Sequence, residues 1–224
     1  MTTIRLVLAS ASPARLATLR QAGLNPEQTV SGVDEGAVAA PTAAGLAQAL
    51  ATLKAETVAE QLAPGSALTV VIGCDSVLEL DGQVHGKPGT PQTAVERWYR
   101  MRGRSGVLHT GHHVMLIDHA RRSARSETAS TVVHFAHLSD AEVEAYVATG
   151  EPLQVAGGFT VDGLGGPFVS RIEGDHHNVV GISLPLVRTM LADLGVAWPR
   201  LWVHTENDPA EQISPDESRL TRQA

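Results

Sequence analysis

The chain has 224 residues, 43% of them hydrophobic, enough to bury a full core as one domain or two lobes. Its formal net charge of −7 argues against a general nucleic-acid binder, which carries a basic surface, and leaves room only for a small basic pocket in an acidic shell. Cys74 is the only cysteine, which excludes an intrachain disulfide and a multi-cysteine zinc site, and no apolar run reaches membrane-spanning length; a soluble, cytoplasmic protein is expected.

The first apolar stretch ends at Ala9, where serines begin. It is shorter than the about 7–15 apolar residues of a secretion signal, so it reads as part of the folded protein. The pattern predicts a strand over Ile4–Ala9 and then a helix with Ser12 as N-cap, Pro13 in first position and Gly23 as stop. A second strand is expected over Gln28–Val33, ending at Asp34 and Glu35, and an alanine-rich helix from Ala43 to Ala63, stopped by Pro64 and Gly65. Leu68–Gly73, a continuous β-branched run, reads as a buried central strand. Asp81-Gly82 then signals a hairpin. Pro91–Met101 is expected to be a helix with Ala94, Trp98 and Met101 on one face.

Strands are expected over Gly106–Asp118 and Glu127–Phe135, joined by an arginine-rich turn around Arg121 and Arg122. A capping box, Ser139 to Glu142, opens a helix running to Gly150. A glycine-rich connection with one short strand follows, then a helical segment over Pro167–Glu173 and a last helix from Leu184 to Leu194. From Thr205 the composition turns polar, so residues 1–204 read as one domain and 205–224 as a loose tail. Strands and helices intermingle without repeats, which predicts an α/β fold with a mixed sheet.

Several positions carry chemistry. A helix N-terminus offers unpaired backbone N–H groups to an anion; Ser10 and Ser12 add hydroxyls there, and Arg15 can fork onto phosphate oxygens. The same residues also fit an ordinary serine-capped helix with a solvated arginine. Of the 17 basic residues only two, Lys54 and Lys87, are lysine. Lys54 follows Leu46 and Leu50 at a spacing of four, on the apolar stripe of its helix, where it either snorkels or points into a pocket. If Asp81-Gly82 is a two-residue turn, Leu80 faces Gln83, Leu78 faces His85 and Ser76 faces Lys87, so Asp75 and Lys87 are expected to meet at the open end of the hairpin. Glu35, in a loop, would with Asp75 make a two-carboxylate site for a hard cation such as Mg²⁺.

Other candidates are weaker. His109, His112, His113, His176 and His177 show no metal-ligand spacing, and His112 and His113 fall on opposite faces of one strand. The arginine-rich "ERWYRMRGR" reads as a solvated face or an interface. "DGLGG" at 162–166 lacks the strand–turn–helix setting of a dinucleotide motif, and Cys74 reads as a small buried strand residue rather than a nucleophile.

Taken in order, "LASASPARLATL", "VDE", "LKA", "VIGCDSVLELDGQVHGKP", "GRSGVLHTG", "YVATGEPLQVAGGFTVDGLGG" and "IEGDHHNVVGISL" resemble the Maf family of septum formation inhibitor-like nucleoside triphosphate pyrophosphatases over nearly the whole chain. The resemblance implies a mixed, elongated sheet flanked by helices in two lobes with a central cleft, as in the related inosine triphosphatases. It also implies Mg²⁺-dependent hydrolysis of nucleoside triphosphates to the monophosphate and pyrophosphate, with Mn²⁺ as the alternative cation. No nucleic acid or membrane partner is implied, and a homodimer is compatible with it. Carried over by position, Asp75 is the expected proton acceptor, Glu35 and Asp75 the metal ligands, and Lys54, Lys87, Ser10, Ser12 and Arg15 the other pocket residues. The chain departs from the family at three specificity positions. Ala14 replaces the first arginine of S-x-S-P-R-R, Ser76 stands where the dTTP- and UTP-directed branch has Thr, and Asp162 stands where that branch has Gln. The branch acting on 7-methyl-GTP tends to show Trp, Gln and Glu there, so the chain matches neither. Two other readings are a non-catalytic nucleotide-binding regulator of septum formation and a pyrophosphatase for deaminated purines such as ITP and XTP.

Overall fold

The computed structural model describes residues 4–62, 67–119 and 121–203; the tail expected from Thr205 and the expected helix stop at Pro64 and Gly65 lie outside them. Strand β1 (Arg5–Ala9) leads into α1 (Pro13–Gln21), β2 (Glu27–Gln28), the long helix α2 (Ala43–Gln61) and the long central strand β3 (Thr69–Leu80). Then come β4 (Gln83–His85), α3 (Pro91–Met101), β5 (Ser105–Asp118), β6 (Arg121–Phe135), α4 (Asp140–Ala148), β7 (Val169–Glu173), α5 (His176–Val180) and α6 (Leu184–Asp193). The helix starts follow the side-chain chemistry: Ser12, Thr42, Thr90, Ser139 and Ser183 each accept a hydrogen bond from a first-turn N–H, and Ser139 with Glu142 closes the expected capping box.

One seven-stranded sheet has the order β2-β1-β3-β5-β6-β7, with β4 also on β3. β1 runs parallel to β2 and β3; the other pairs are antiparallel, so the sheet is mixed. The hairpin register is the expected one, Leu80 opposite Gln83 and Leu78 opposite His85. β1 pairs with residues 69–73 of β3 and β4 with residues 78–80, both on the edge that β5 leaves free. Cys74 to Val77 therefore have no strand partner on that edge.

The sheet has two unlike faces. On one, Leu8, Ile72, Cys74, Ile182 and Leu191 form one apolar core, and Leu78, Trp98, Leu108, Phe135 and Phe159 form a second. Ser76 lies between them, so the seam of the two cores is polar. In the second core Trp98 meets Phe135 and Tyr146 edge-on at 5.6 Å, and its indole N–H donates to the Gly158 carbonyl at 2.8 Å. The opposite face is covered by α2, whose Ala55, Val58 and Ala59 pack on Val7, Ala9 and Val71. No helix among the described residues is long and apolar enough to cross a membrane.

Four expectations are corrected. Pro167–Glu173 is not helical: a 3₁₀ turn over Gly166–Phe168 precedes β7, because Val169 to Glu173 find ladder partners on β6 that a helix would leave unpaired. The short strand expected in the glycine-rich connection, residues 157–168, is absent: the chain passes from a 3₁₀ turn at Ala156–Gly158 to the one at Gly166–Phe168 without ladder pairing, after an earlier turn at Glu151–Gln154. The second strand is confined to Glu27–Gln28, since β1 ends at Ala9 and offers no further ladder. Arg121 and Arg122 are not in a turn; they pair with Asp118 and Ile117.

Helix α2 lies unusually near the sheet. A Cβ at Gly73 would overlap the Ala51 carbonyl oxygen and sit 2.7 Å from the Ala55 Cβ, and one at Gly111 would overlap the Ala47 backbone. Small residues on both surfaces permit this approach. Gly73→Ala should therefore cost about 1–3 kcal/mol or more in chemical denaturation, as overpacking does. Gly86→Ala, where a Cβ meets nothing within 4 Å, should be close to neutral. Equal midpoints for the two variants would refute the packing argument.

Candidate active site

The open edge of β3 is bordered by three chain segments. β1 ends beside Gly73 and turns through Ser10 and Ser12 into the N-terminus of α1. β4 runs antiparallel to β3 and continues past His85 to Lys87, approaching the same gap from the other end. Glu35 opens a single 3₁₀ turn, Glu35–Ala37, whose cap is Asp34: its carboxylate accepts from the Gly36 N–H at 3.1 Å.

Alternation along β3 sends Asp75 to the α2 face and Ser76 to the opposite one. On the α2 face Lys54, buried on the helix stripe, donates to Asp75 Oδ1 at 2.5 Å and lies 2.6 Å from Glu35 Oε1. Side-chain exposure is 10% for Lys54 and 11% for Asp75 but 48% for Glu35, so the cluster has a dry base and a wet mouth. Burial pushes the Glu35 carboxyl up; the hydrogen bond and charge of Lys54, with the charges of Lys87 and Arg15, outweigh it and hold the group below the usual carboxylate range. Among the described residues no group of three or more His, Cys, Asp or Glu side chains is placed to hold a metal ion, whereas Glu35 and Asp75 converge on one ammonium.

On the other face Arg15 is buried and tied at three points. Nε donates to the Gly181 carbonyl at 2.7 Å, Nη1 to Ser10 Oγ at 3.0 Å and Nη2 to Ser76 Oγ at 2.9 Å. Ser76 Oγ lies 2.9 Å from Thr110 Oγ1, which donates to the Asn178 carbonyl at 3.2 Å. Hydroxyls thus relay from Arg15 across the seam to α5. Ser12 caps α1 by accepting the Arg15 N–H at 3.4 Å, and its own N–H donates to Ser10 Oγ at 3.2 Å.

The structure brings Glu35, Lys54 and Asp75 into contact, and Ser10, Ser12, Arg15 and Ser76 into a second network. It corrects one contact: Asp75 does not meet Lys87. Ladder pairing stops at His85, Lys54 occupies the Asp75 carboxylate, and exposed Lys87 has no ion pair among the described residues. Ala14 is half-buried in the first turn of α1 without a side-chain bond, and Asp162 is exposed on the glycine-rich loop. His112 and His113 do face opposite sides. His112 Nε2 accepts the Ser183 N–H at 2.8 Å and burial pushes its ring down to about 4, while His113 Nδ1 is 2.7 Å from Ser126 Oγ. The Cys74 thiol is pushed up to about 12 by complete burial, which removes it as a nucleophile.

Four contributors escape sequence reasoning: Thr110, Asn178, the Gly181 carbonyl and Arg97, which donates to the Gly86 carbonyl at 2.5 Å beside Lys87. Only Thr110 had a usable signal, since register places it opposite Ser76.

A family profile described as "Maf-like protein" matches residues 5–194. A protein of Salinispora tropica named nucleoside triphosphate pyrophosphatase is 58% identical over 216 residues, 95% of each chain. One of the same name from Streptomyces coelicolor is 59% identical, covering 91% of this chain and 97% of its own, and one from Rhodococcus opacus is 55% identical, covering 88% and 95%. A structure of the Staphylococcus aureus Ham1 protein aligns with a TM-score of 0.36 and 14% identity over 59% of this chain and 72% of that one, too slight a likeness to bear on function.

The lowered Glu35 carboxyl has a pH signature. Its contribution to stability is full above the unfolded value of about 4.3 and is lost as pH falls through the lowered folded value. In Lys54→Met the desolvation of Glu35 is opposed only by the charges of Lys87 and Arg15, so its carboxyl should move up and disfavour folding at neutral pH. The stability gap between wild type and Lys54→Met, measured by urea midpoints, should be widest at neutral pH and narrow on acidification. A pH-independent gap would disprove the coupling.

Proposed function

The chain belongs to the Maf family, and on that premise we propose that it hydrolyses nucleoside triphosphates to the monophosphate and pyrophosphate, with Asp75 as the proton acceptor. One observation carries the reading. At the open edge of β3, Lys54 bridges two carboxylates, the charges of Lys54, Lys87 and Arg15 all act on Glu35, and three of the five side chains, Arg15, Lys54 and Asp75, are buried. Such an excess of fixed positive charge suits a polyphosphate.

Phosphoryl transfer asks for an oriented water and positive charge around the transferring group. Asp75 holds the water and takes its proton as oxygen bonds to the α-phosphorus; the α–β bridging bond breaks and pyrophosphate leaves with the electron pair. Lys54, Lys87 and the outward N–H groups of Arg15 meet the phosphate oxygens. Ser10 and Ser12 shape the turn that presents them, and Ser10 and Ser76 hold Arg15 in place. Glu35 and Asp75 are the residues that would hold a divalent cation, Mg²⁺ in this reading with Mn²⁺ as the alternative. Two carboxylates with the substrate's own phosphates form a donor set that Mg²⁺ accepts. When bound, the cation would supply charge at the phosphate oxygens. Residues 1–204 act as one domain, in the cytoplasm where nucleotides are held, with clearance of non-standard or excess nucleotides and a link to cell-division arrest as the role. The intact carboxylate–lysine cluster favours this over a non-catalytic regulator.

Asp75→Asn keeps the shape and removes the base. Turnover should fall about 10²–10⁴-fold with the fold retained, read as pyrophosphate release. A variant retaining more than about a tenth of the wild-type rate would contradict the assignment.

Base selectivity should be relaxed. Ala14 has no polar side-chain atom, the Ser76 hydroxyl is engaged by Arg15 and Thr110, and Asp162 accepts without donating, where Gln does both. Rates for dTTP, UTP, CTP, GTP, 7-methyl-GTP, ITP and XTP should fall within about tenfold in kcat/KM, and Asp162→Gln should favour dTTP and UTP. A wild-type preference above about a hundredfold for one base would refute this.

A further inference from the structure

Glu151 belongs neither to the cluster on Lys54 nor to an apolar core. It opens the Glu151–Gln154 turn, and its carboxylate collects donors from one short loop and a neighbouring helix. Oε1 accepts from the hydroxyls of Tyr146 at 3.1 Å and Thr160 at 2.5 Å and from the Gly165 N–H at 3.0 Å, while Oε2 accepts from the Leu164 N–H at 3.0 Å. The Thr160 N–H donates in turn to the Tyr146 hydroxyl at 3.2 Å. Burial pushes the Glu151 carboxyl up, but these donors outweigh it and hold it below the usual range. The glycines of "DGLGG" have their reason here. A Cβ at Gly163 would lie 2.6 Å from Glu151 Oε2, and one at Gly165 2.5 Å from the Tyr146 hydroxyl, so a side chain at either would displace the clamp.

The turn that begins at Glu151 and the Ala156–Gly158 turn that follows it hold the chain on the two sides of Lys87. The Gly89 N–H donates to the Leu153 carbonyl at 3.0 Å, and the Gly157 N–H donates to the Gly86 carbonyl at 3.1 Å. Two successive turns, the first of them opened by Glu151, thus tie the loop carrying Asp162 and exposed Leu164 to the segment carrying Lys87.

We infer that Glu151 is a positioning residue for the nucleobase: its carboxylate fixes the 160–165 loop at a set distance from Lys87, so that base and phosphates are gripped by one unit. The inference rests on the reading of this loop, through Asp162, as the base-facing element. A carboxylate is required because all four partners donate; an amide would turn its NH₂ toward one of them and break that bond.

The test is steady-state kinetics of Glu151→Gln with dTTP, UTP and GTP, beside Asp162→Ala and Thr160→Val. In Glu151→Gln, KM should rise about tenfold with kcat within about threefold, because substrate grip is lost while Asp75, Lys54 and Glu35 are untouched. The ratios of kcat/KM among the three nucleotides should move in the direction they move in Asp162→Ala. An unchanged KM, or a fall in kcat with KM and base ratios constant, would overturn the role. Should Glu151→Gln fail to fold, Thr160→Val, which removes one donor to Oε1, must raise KM in the same sense, and no rise there overturns the role. If Asp162→Ala moves the base ratios and Glu151→Gln does not, the positioning role falls and the Asp162 reading stands. If Glu151→Gln alone moves them, the positioning role stands and Asp162 is not the residue that meets the base.

Discussion

The site depends on how near α2 can come to the sheet. Lys54 reaches two carboxylates only because Ala47, Ala51 and Ala55 rest on Gly73 and Gly111 with no side chain between the two surfaces. An ammonium drawn out of water needs both partners. Removing one from a buried pair leaves an uncompensated charge, which costs far more than the pair contributes. The composition of this helix, rich in alanine and with a lysine on its buried stripe, follows from that contact. A leucine at 51 or 55 would bury more apolar area and lift the ammonium away from Asp75.

The second organising element is β3, the one strand that touches nearly everything. It pairs with β1 and β4 along one edge and with β5 along the other, and the break between β1 and β4 leaves a window at Cys74–Val77. Alternation through that window sends Asp75 to one face and Ser76 to the other. The basic and acidic groups therefore sort themselves: Lys54 and the carboxylates under α2, Arg15 and the hydroxyls in the seam between the two apolar cores. Parallel β1 delivers a helix N-terminus to the window and antiparallel β4 delivers a lysine, a division that a wholly parallel or wholly antiparallel sheet does not provide.

Much of this was legible in the chain. Capping residues located α1 and α4, and composition and apolar spacing located α2, α3 and α6, all to within a few residues, because the signal for each lies within its own segment. The Asp81-Gly82 turn fixed the register of the hairpin, and the scarcity of lysine singled out Lys54 and Lys87. What failed was whatever a distant partner decides. Val169 to Glu173 became a strand because the end of β6 needed a neighbour, and nothing local to those five residues says so. Strand geometry alone matches Asp75 with Lys87, whereas Lys54, 21 residues upstream on α2, supplies the nearer ammonium. Glu151 was invisible for the same reason: a glutamate before a proline looks solvated until the loop that folds back onto it is in place.

Arg15 illustrates what such distances mean for the life of the chain. Its Nε bond to the Gly181 carbonyl spans 166 residues. A polypeptide emerging from the ribosome folds N-terminal parts first, so Lys54, Asp75 and Glu35 can come together while Arg15 still lacks the carbonyl that locks it. The carboxylate–lysine cluster can thus form before Arg15 is locked, by roughly the time needed to make the remaining hundred residues, about 5–20 s at about 5–20 residues per second. Premature release of a chain truncated before Gly181 would leave the carboxylate–lysine cluster beside an Arg15 whose Nε has no carbonyl to hold it, so the charge is present from the start but its position is set only once the last strand and helices are in place.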